Sequence, residues 1–324
     1  MILSDTLYLI VPCYNEQEVL NQSAEMLKNK IYELINQAKI SKESKILFID
    51  DGSKDKTWDI IQDLHKEDKI FSGIKLSRNR GHQNALLAGL LTAIKICDIT
   101  ISIDADLQDD IDVIDKMLDK YYTGNDIVYG VRSSRESDTF FKRFTAEAFY
   151  KFLSLLGVET VFNHADFRLM SSRALCELEK FGEVNLFLRG MVPLLGFKSD
   201  TVTYERHKRL AGQSKYPLKK MLELAWQGVT SLSVKPIKLI TFIGFCVFFV
   251  SMIMILYFLI QFMNHNTVAG WTTIVISVWM LGGLQLISIG LIGEYIGKIY
   301  LETKHRPRFI IEKFLGCESE TNQK

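Results

Sequence analysis

Along the first 130 positions, short apolar runs alternate with longer amphipathic stretches. The runs cover residues 7–11, 46–49, 74–76, 99–103 and 127–129, each of strand length and each closed by a polar cluster. Between them lie stretches with helical spacing, at 16–37, 57–65, 82–95 and 111–122. Strand alternating with helix predicts a doubly wound α/β domain with a mostly parallel sheet. In such sheets ligands bind beyond the carboxyl ends of the strands. The polar clusters fall there: Pro12-Cys13-Tyr14-Asn15-Glu16, Asp50-Asp51-Gly52-Ser53, Ser77-Arg78-Asn79, Asp104-Ala105-Asp106 and Gly130-Val131-Arg132. Five clusters at one edge predict one shared site.

The pattern then changes. Residues 140–156 carry a wide apolar face flanked by Lys142, Arg143 and Lys151, which fits either a core helix or one lying in a membrane interface. A second such candidate spans 216–230, with Lys219, Lys220 and Trp226. Two long apolar spans follow, 237–263 and 271–297, each exceeding the roughly 20 residues that cross a bilayer. The linker 264–270 has no Lys or Arg, whereas 206–238 holds eight against one acid, and Lys298, Lys304, Arg306 and Arg308 follow the second span. This bias predicts a multi-pass hairpin with both flanks on the cytoplasmic side of the cell membrane. Glu294 sits near the cytoplasmic end, and Gly282, Gly283, Gly290 and Gly293 permit close helix contacts and so self-association into a homo-oligomer. The expected division is a domain at 1–230, a hairpin at 231–300 and a cytoplasmic tail at 301–324.

Charge and cysteine usage narrow the function. A formal net charge of +1 gives no global field for nucleic acid. The five cysteines are scattered without a C-x-x-C pair, as expected of reduced thiols and not of a zinc site. The N-terminus enters a strand-like segment with no secretory pattern, so insertion is expected to be directed by the last third of the chain.

The sharpest chemical signal is Asp104 and Asp106, closing the run Ile99-Thr100-Ile101-Ser102-Ile103. Residues two apart on a strand share a side, so both carboxylates would converge past the strand end, with Gln108 one step on. Hard oxygen ligands suit Mg²⁺ or Mn²⁺, which would hold a diphosphate and neutralise charge on a departing nucleotide. An acidic turn capping the next helix is the alternative. Asp50 and Asp51 precede Gly52-Ser53, a combination that suits a tight turn as well as hydrogen bonding to a ribose or base.

Taken together, Val11-Pro12-Cys13-Tyr14-Asn15-Glu16, Asp50-Asp51-Gly52-Ser53, Ser77-Arg78-Asn79-Arg80-Gly81-His82-Gln83, Asp104-Ala105-Asp106-Leu107-Gln108-Asp109, Asp166-Phe167-Arg168-Leu169-Met170 and Gly212-Gln213-Ser214-Lys215-Tyr216 resemble, in order, the family 2 inverting glycosyltransferases with a GT-A fold. The nearer branch is that of bactoprenol glucosyltransferases and dolichol-phosphate mannose synthases. The resemblance covers nearly the whole chain and implies a membrane-bound hexosyltransferase using a nucleotide-sugar donor and a polyprenyl phosphate acceptor. It implies that Pro12, Tyr14, Glu16 and Asp51, with Asp50 beside them, line the nucleotide pocket. Asp104, Asp106 and Gln108 would hold the metal and diphosphate. Arg132 and Arg135 would hold the acceptor phosphate, and Arg206, Arg209 and Lys215 would reach phosphates from a basic loop. Arg80, where many relatives carry an aromatic residue, and Asp110-Ile111, in place of a common Pro-Pro, depart from the pattern.

The acceptor, a phosphate monoester with second pKa near 6, is already a nucleophile at neutral pH, so a strong base is less necessary. Asp166 is the candidate to orient it or act as a weak base; the alternative is a structural carboxylate paired to Arg168. Inversion follows from the resemblance. UDP-glucose is the foremost donor expectation, with UDP-N-acetylglucosamine, UDP-galactose and GDP-mannose open and the glycan pathway unspecified. A processive synthase would carry Gln-x-x-Arg-Trp before its membrane helices, and none is present. A nicotinamide enzyme would show G-x-G-x-x-G after the first strand, also missing. A non-catalytic membrane scaffold would not need Asp104 and Asp106.

Overall fold

The computed structural model of the chain describes residues 4–132, 164–183, 186–205 and 270–316, with isolated positions between 237 and 260. The expected helices at 140–156 and 216–230, most of the span 237–263, and Arg135, Arg206, Arg209 and Lys215 lie outside the described residues.

The first half alternates as its apolar pattern predicts: β1 (Leu7–Cys13), α1 (Leu20–Asn36), β2 (Lys45–Asp50), α2 (Thr57–Glu67), β3 (Phe71–Leu76), α3 (His82–Ala93), β4 (Ile99–Ser102), α4 (Val113–Tyr122) and β5 (Ile127–Arg132). Then come β6 (His164–Ser171), α5 (Ser172–Glu179), α6 (Leu188–Leu194), β7 (Ser199–Tyr204), α7 (Trp271–Thr303) and β8 (Ile311–Leu315). All eight strands form one sheet of order β7-β5-β6-β4-β1-β2-β3-β8. Pairing is parallel among β4, β1, β2 and β3 and between β5 and β7, and antiparallel where β6 and β8 enter. This is the mostly parallel sheet that the pattern predicted, in the GT-A-like arrangement that the resemblance implies.

Both faces of the sheet are covered, which explains why its strands read as unbroken apolar runs. Leu7, Leu9 and Val11 pack with α1, α2 and α4, whereas Tyr8 and Ile10 face α3 in a second cluster. Gly89 lets α3 lie directly on the strands, since a Cβ there would come within 2.6 Å of Ile10 and Ile49 side chains. The chain order reverses between β1 and β4, which opens a crevice at their carboxyl ends. The polar clusters after β1, β2, β3 and β4 all leave the sheet at that edge. Because β5 runs parallel to β4, Arg132 ends there too, and β7 delivers Tyr204 to the same edge.

Two features of the C-terminal part differ from expectation. The second apolar helix runs to Thr303, about 50 Å at 1.5 Å per residue, with Met280–Thr303 long and apolar enough to cross a membrane. Its Leu286, Ile287 and Ile289 are exposed. The expected tail contains β8, paired antiparallel to β3 through Leu76↔Ile311 and Gly73↔Leu315. Five residues with only short apolar stretches gave no periodic signal, and their strand identity comes from an available sheet edge.

Candidate active site

The Asp104-Ala105-Asp106 segment is held by the scaffold on both sides. Ile103 donates its N–H to the Ile10 carbonyl at 3.0 Å, and Ser23 of α1 donates its hydroxyl to the Ala105 carbonyl at 2.7 Å. Ile103, Ala105 and Leu107 are buried in the core, while Asp104 and Asp106 are only partly covered. Because β4 ends at Ser102, both carboxylates sit in the turn that follows the strand, closed by the Leu107 N–H on the Asp104 carbonyl at 3.2 Å, and not on the strand itself as the periodicity predicts. Leu107, at φ 43°, turns the chain, and Gln108 follows with its Oε1 buried and without a hydrogen-bond partner. Asp109 accepts the Tyr204 hydroxyl at 2.6 Å, which ties this turn to the end of β7. Behind it, buried Lys30 of α1 reaches Asp115 at 2.6 Å and Asp112 at 3.1 Å, which fixes the start of α4.

Asp166, near the start of β6, faces the same crevice. Arg189 of α6 grips it with two parallel hydrogen bonds, Nε to Oδ1 and Nη2 to Oδ2, both 3.0 Å. His82, the first residue of α3, lies with Nε2 3.4 Å from Asp166 Oδ2 and 3.6 Å from Asp104 Oδ1. Burial opposes charge on His82, but its hydrogen bond to Asp166 and the Asp104 and Asp166 charges outweigh it and push the imidazole up to about 9. Burial likewise opposes charge on Asp166, yet Arg189 and His82 hold its carboxyl well below the usual range. Asp104 is raised instead, by burial and then by repulsion from Asp166, Asp109 and Asp106, only partly offset by His82. Arg168, fully buried against the Tyr129 ring, comes no nearer than 3.9 Å to Asp166. The main partner of Asp166 is therefore Arg189, not Arg168.

Arg189 and His82 are site residues to which sequence reasoning gave no role. His82 stood in a quoted motif beside Gly81, whose φ of 87° breaks the chain just before α3. Arg189 belongs to a short helix with no motif around it. Its position is set by Gln83, whose side-chain oxygen accepts the Leu188 N–H at 3.0 Å.

At the carboxyl end of β2, Asp50 and Asp51 are both buried. Asp51 accepts N–H bonds from Arg80 at 2.7 Å and Gly81 at 2.8 Å, so it holds the loop that presents His82. Asp50 accepts the Ser53 N–H at 3.0 Å, and its other oxygen is buried without a partner. Burial raises both carboxyls. Gly52, at φ 65°, passes so close to the next loop that a Cβ would stand 2.6 Å from the Arg78 carbonyl carbon. Asn15 and Glu16 donate their N–H groups to Ser53 and Thr57 at 3.0 and 2.9 Å, stitching the first two loops together. Pro12 is buried, Glu16 half-buried, and Tyr14 exposed at the rim. Arg132 is placed at the edge by its backbone pairing with Tyr204.

For a divalent cation, the residues present fit. Asp104, Asp106 and the Gln108 carbonyl are hard oxygen donors, and the orphaned Gln108 Oε1 together with the repulsion felt by Asp104 are what a bound cation would relieve. Among the described residues no group of three or more His, Cys, Asp or Glu is arranged around a metal position, so the candidate set is two carboxylates and an amide.

Comparison with known proteins agrees with this layout. Residues 8–178 match the family described as Glycosyl transferase family 2, and residues 235–299 match the GtrB C-terminal hairpin. The chain is 53% identical to the "Uncharacterized glycosyltransferase YkoT" of Bacillus subtilis (strain 168), over 94% of this chain and 91% of that one. It is 39% identical to the bactoprenol glucosyl transferase of Shigella phage SfV, over 94% and 97% of the two chains. Identity is again 39% to the prophage bactoprenol glucosyl transferase homolog of Escherichia coli (strain K12), over 94% and 98%.

Proposed function

This chain belongs to glycosyl transferase family 2, and we propose that it transfers a hexose from a nucleotide-sugar to a polyprenyl phosphate, undecaprenyl phosphate in a bacterial membrane, with inversion at the anomeric carbon. UDP-glucose is the foremost donor; N-acetylglucosamine, galactose and mannose donors are the alternatives. The observation that carries this reading is the meeting of Asp104, Asp166, His82 and Arg189 at the β1/β4 crevice, on a sheet whose β3 edge takes up the strand that follows the apolar C-terminal helix. Relatives bearing the bactoprenol name span almost the same length and support the acceptor class.

The donor nucleotide would lie over the first two loops, with Tyr14 at the rim and the loops fixed by Asp50, Asp51 and Glu16. Asp104, Asp106 and Gln108 would hold Mg²⁺ or Mn²⁺, which supplies charge neutralisation for the departing diphosphate. An acceptor phosphate oxygen attacks the anomeric carbon from the face opposite the diphosphate. The new C–O bond forms as the old one breaks, and the nucleoside diphosphate leaves with the electron pair. A dianionic phosphate has no proton to surrender, and Asp166, held as an ion pair, is a poor proton acceptor. We therefore assign Asp166 to orientation, through its grip on Arg189 and His82. Arg132, Arg135, Arg206, Arg209 and Lys215 are the proposed contacts to acceptor and donor phosphates, since arginine can bind phosphate through paired hydrogen bonds. Rate would come from alignment and preorganised charge.

The two apolar spans would anchor the chain as a multi-pass hairpin in the cell membrane with its catalytic domain on the cytoplasmic face, where nucleotide-sugars are made. The test is to incubate membranes containing the protein with undecaprenyl phosphate and a panel of labelled nucleotide-sugars, with and without Mg²⁺. Label in the organic phase from one donor is expected. No lipid product from any donor would favour the non-catalytic scaffold.

A further inference from the structure

The segment that follows the membrane helix is attached to the catalytic sheet at the edge where the site opens. α7 ends at Thr303, and the chain turns at once, with His305 in the left-handed region at φ 46° and its N–H bonded to the Glu302 carbonyl at 3.1 Å. Pro307 then fixes its own φ and pushes Arg306 toward extended backbone. Phe309 packs into the apolar cluster that also holds Leu186, Leu188, Val192 and Phe197. The Ile310 carbonyl accepts the Ser77 N–H at 3.0 Å, just past the carboxyl end of β3. From Ile311 the chain runs down β3 as β8, with Lys75 and Glu312 3.7 Å apart across the pair.

These contacts reach the chemistry in few steps. Ser77 begins the loop whose Arg80 and Gly81 are held by Asp51 and which ends in His82. Leu188, a member of the cluster on which Phe309 packs, precedes Arg189, the partner of Asp166. The stretch between helix and strand is short. Residues 304–310 can span at most about 25 Å even when fully extended. The left-handed turn and the proline leave it little slack.

We propose that residues 304–315 are a positioning segment for lipid transfer: a short, stiff link that fixes the distance between the bilayer end of α7 and the site edge of the sheet. This rests on the lipid acceptor assigned above. A phosphate headgroup cannot leave the plane of its bilayer, so the height of the site above that plane decides whether it meets the donor. An acceptor free in solution is under no such constraint.

The test lengthens the link without removing it. About six Gly/Ser residues inserted between His305 and Arg306 would add a flexible span of about 13 Å while leaving the turn, Phe309 and β8 in place. The full-length protein is reconstituted in phosphatidylethanolamine/phosphatidylglycerol vesicles. It is assayed with its preferred labelled donor against undecaprenyl phosphate in the bilayer and, separately, against water-soluble citronellyl phosphate. Transfer to the bilayer acceptor is expected to fall at least about tenfold, while transfer to the soluble one stays within about twofold, because only the former depends on registration. Retained soluble transfer also shows that the catalytic domain is folded. Unchanged transfer to both acceptors would overturn the proposal. Equal loss on both would overturn it as well, by making the segment part of the domain's own stability. An unmodified protein that transfers to neither acceptor would sink the transferase reading itself.

Discussion

Arg189 and Asp166 lie 23 positions apart on different elements, yet they meet through two parallel hydrogen bonds of 3.0 Å, the geometry in which a guanidinium matches a carboxylate best. The pair holds one wall of the crevice and keeps Asp166 ionised. Replacing Arg189 by Ala leaves that carboxylate with His82 at 3.4 Å and Arg168 at 3.9 Å as its remaining cations. Sugar transfer to lipid should fall about 10²-fold, the scale on which misalignment acts. Arg189→Lys should recover only part of it, since a point charge cannot replace the fork. Initial rates of lipid-linked sugar formation measure both. Wild-type rates for Arg189→Ala would remove Asp166 from the orienting role.

Asp50 provides a pH-dependent stability test. Burial raises its folded-state carboxyl above the unfolded value, so the folded protein binds more protons, and stability falls as pH rises through that window. Asp50→Asn removes the buried charge and leaves an oxygen able to accept the Ser53 N–H. The variant should be more stable than the parent at pH 7, by about 1–3 kcal/mol, with the advantage shrinking toward acid pH. Thermal unfolding of both proteins across pH 4.5 to 7, with approximate matching of detergent and salt, reads this out. A constant difference across that range would contradict it.

Gly52 is required by contact as well as by conformation. A Cβ would meet the Arg78 backbone at 2.6 Å, and the φ of 65° already disfavours other residues. Gly52→Ala should destabilise by about 1–3 kcal/mol and weaken donor binding, because the same loop carries the N–H groups that Asp51 holds. Calorimetry for donor affinity and thermal unfolding together check it. An unaltered melting temperature would show that the loops separate freely.

The sequence made the α/β core readable because each strand of the first half is an apolar run closed by polar residues, and buried parallel strands write that pattern. It also pointed to Asp104 and Asp106 as the close of the fourth apolar run, although they lie in the turn past β4 and not on the strand. Asp50 and Asp51 were left between turn and site, and in the structure they accept the backbone N–H groups of Ser53, Arg80 and Gly81. What could not be read depends on tertiary contact. β8 is a strand because β3 offers an edge, and Arg189 belongs to the site because Gln83 holds the start of its helix there. Residues 304–315 read as a tail for the same reason: nothing local distinguishes a return to the sheet from a solvated end.

The central claim is that Asp104 and Asp106 serve sugar transfer at the β1/β4 crevice through a divalent cation. Its most direct measurement compares wild type and Asp106→Asn for Mg²⁺-dependent transfer from the preferred donor to undecaprenyl phosphate. Thermal unfolding run alongside confirms an intact fold. The account predicts a loss of at least about 10²-fold with an unchanged melting profile. Full transfer by the variant, or wild-type transfer unaffected by chelation, would contradict it.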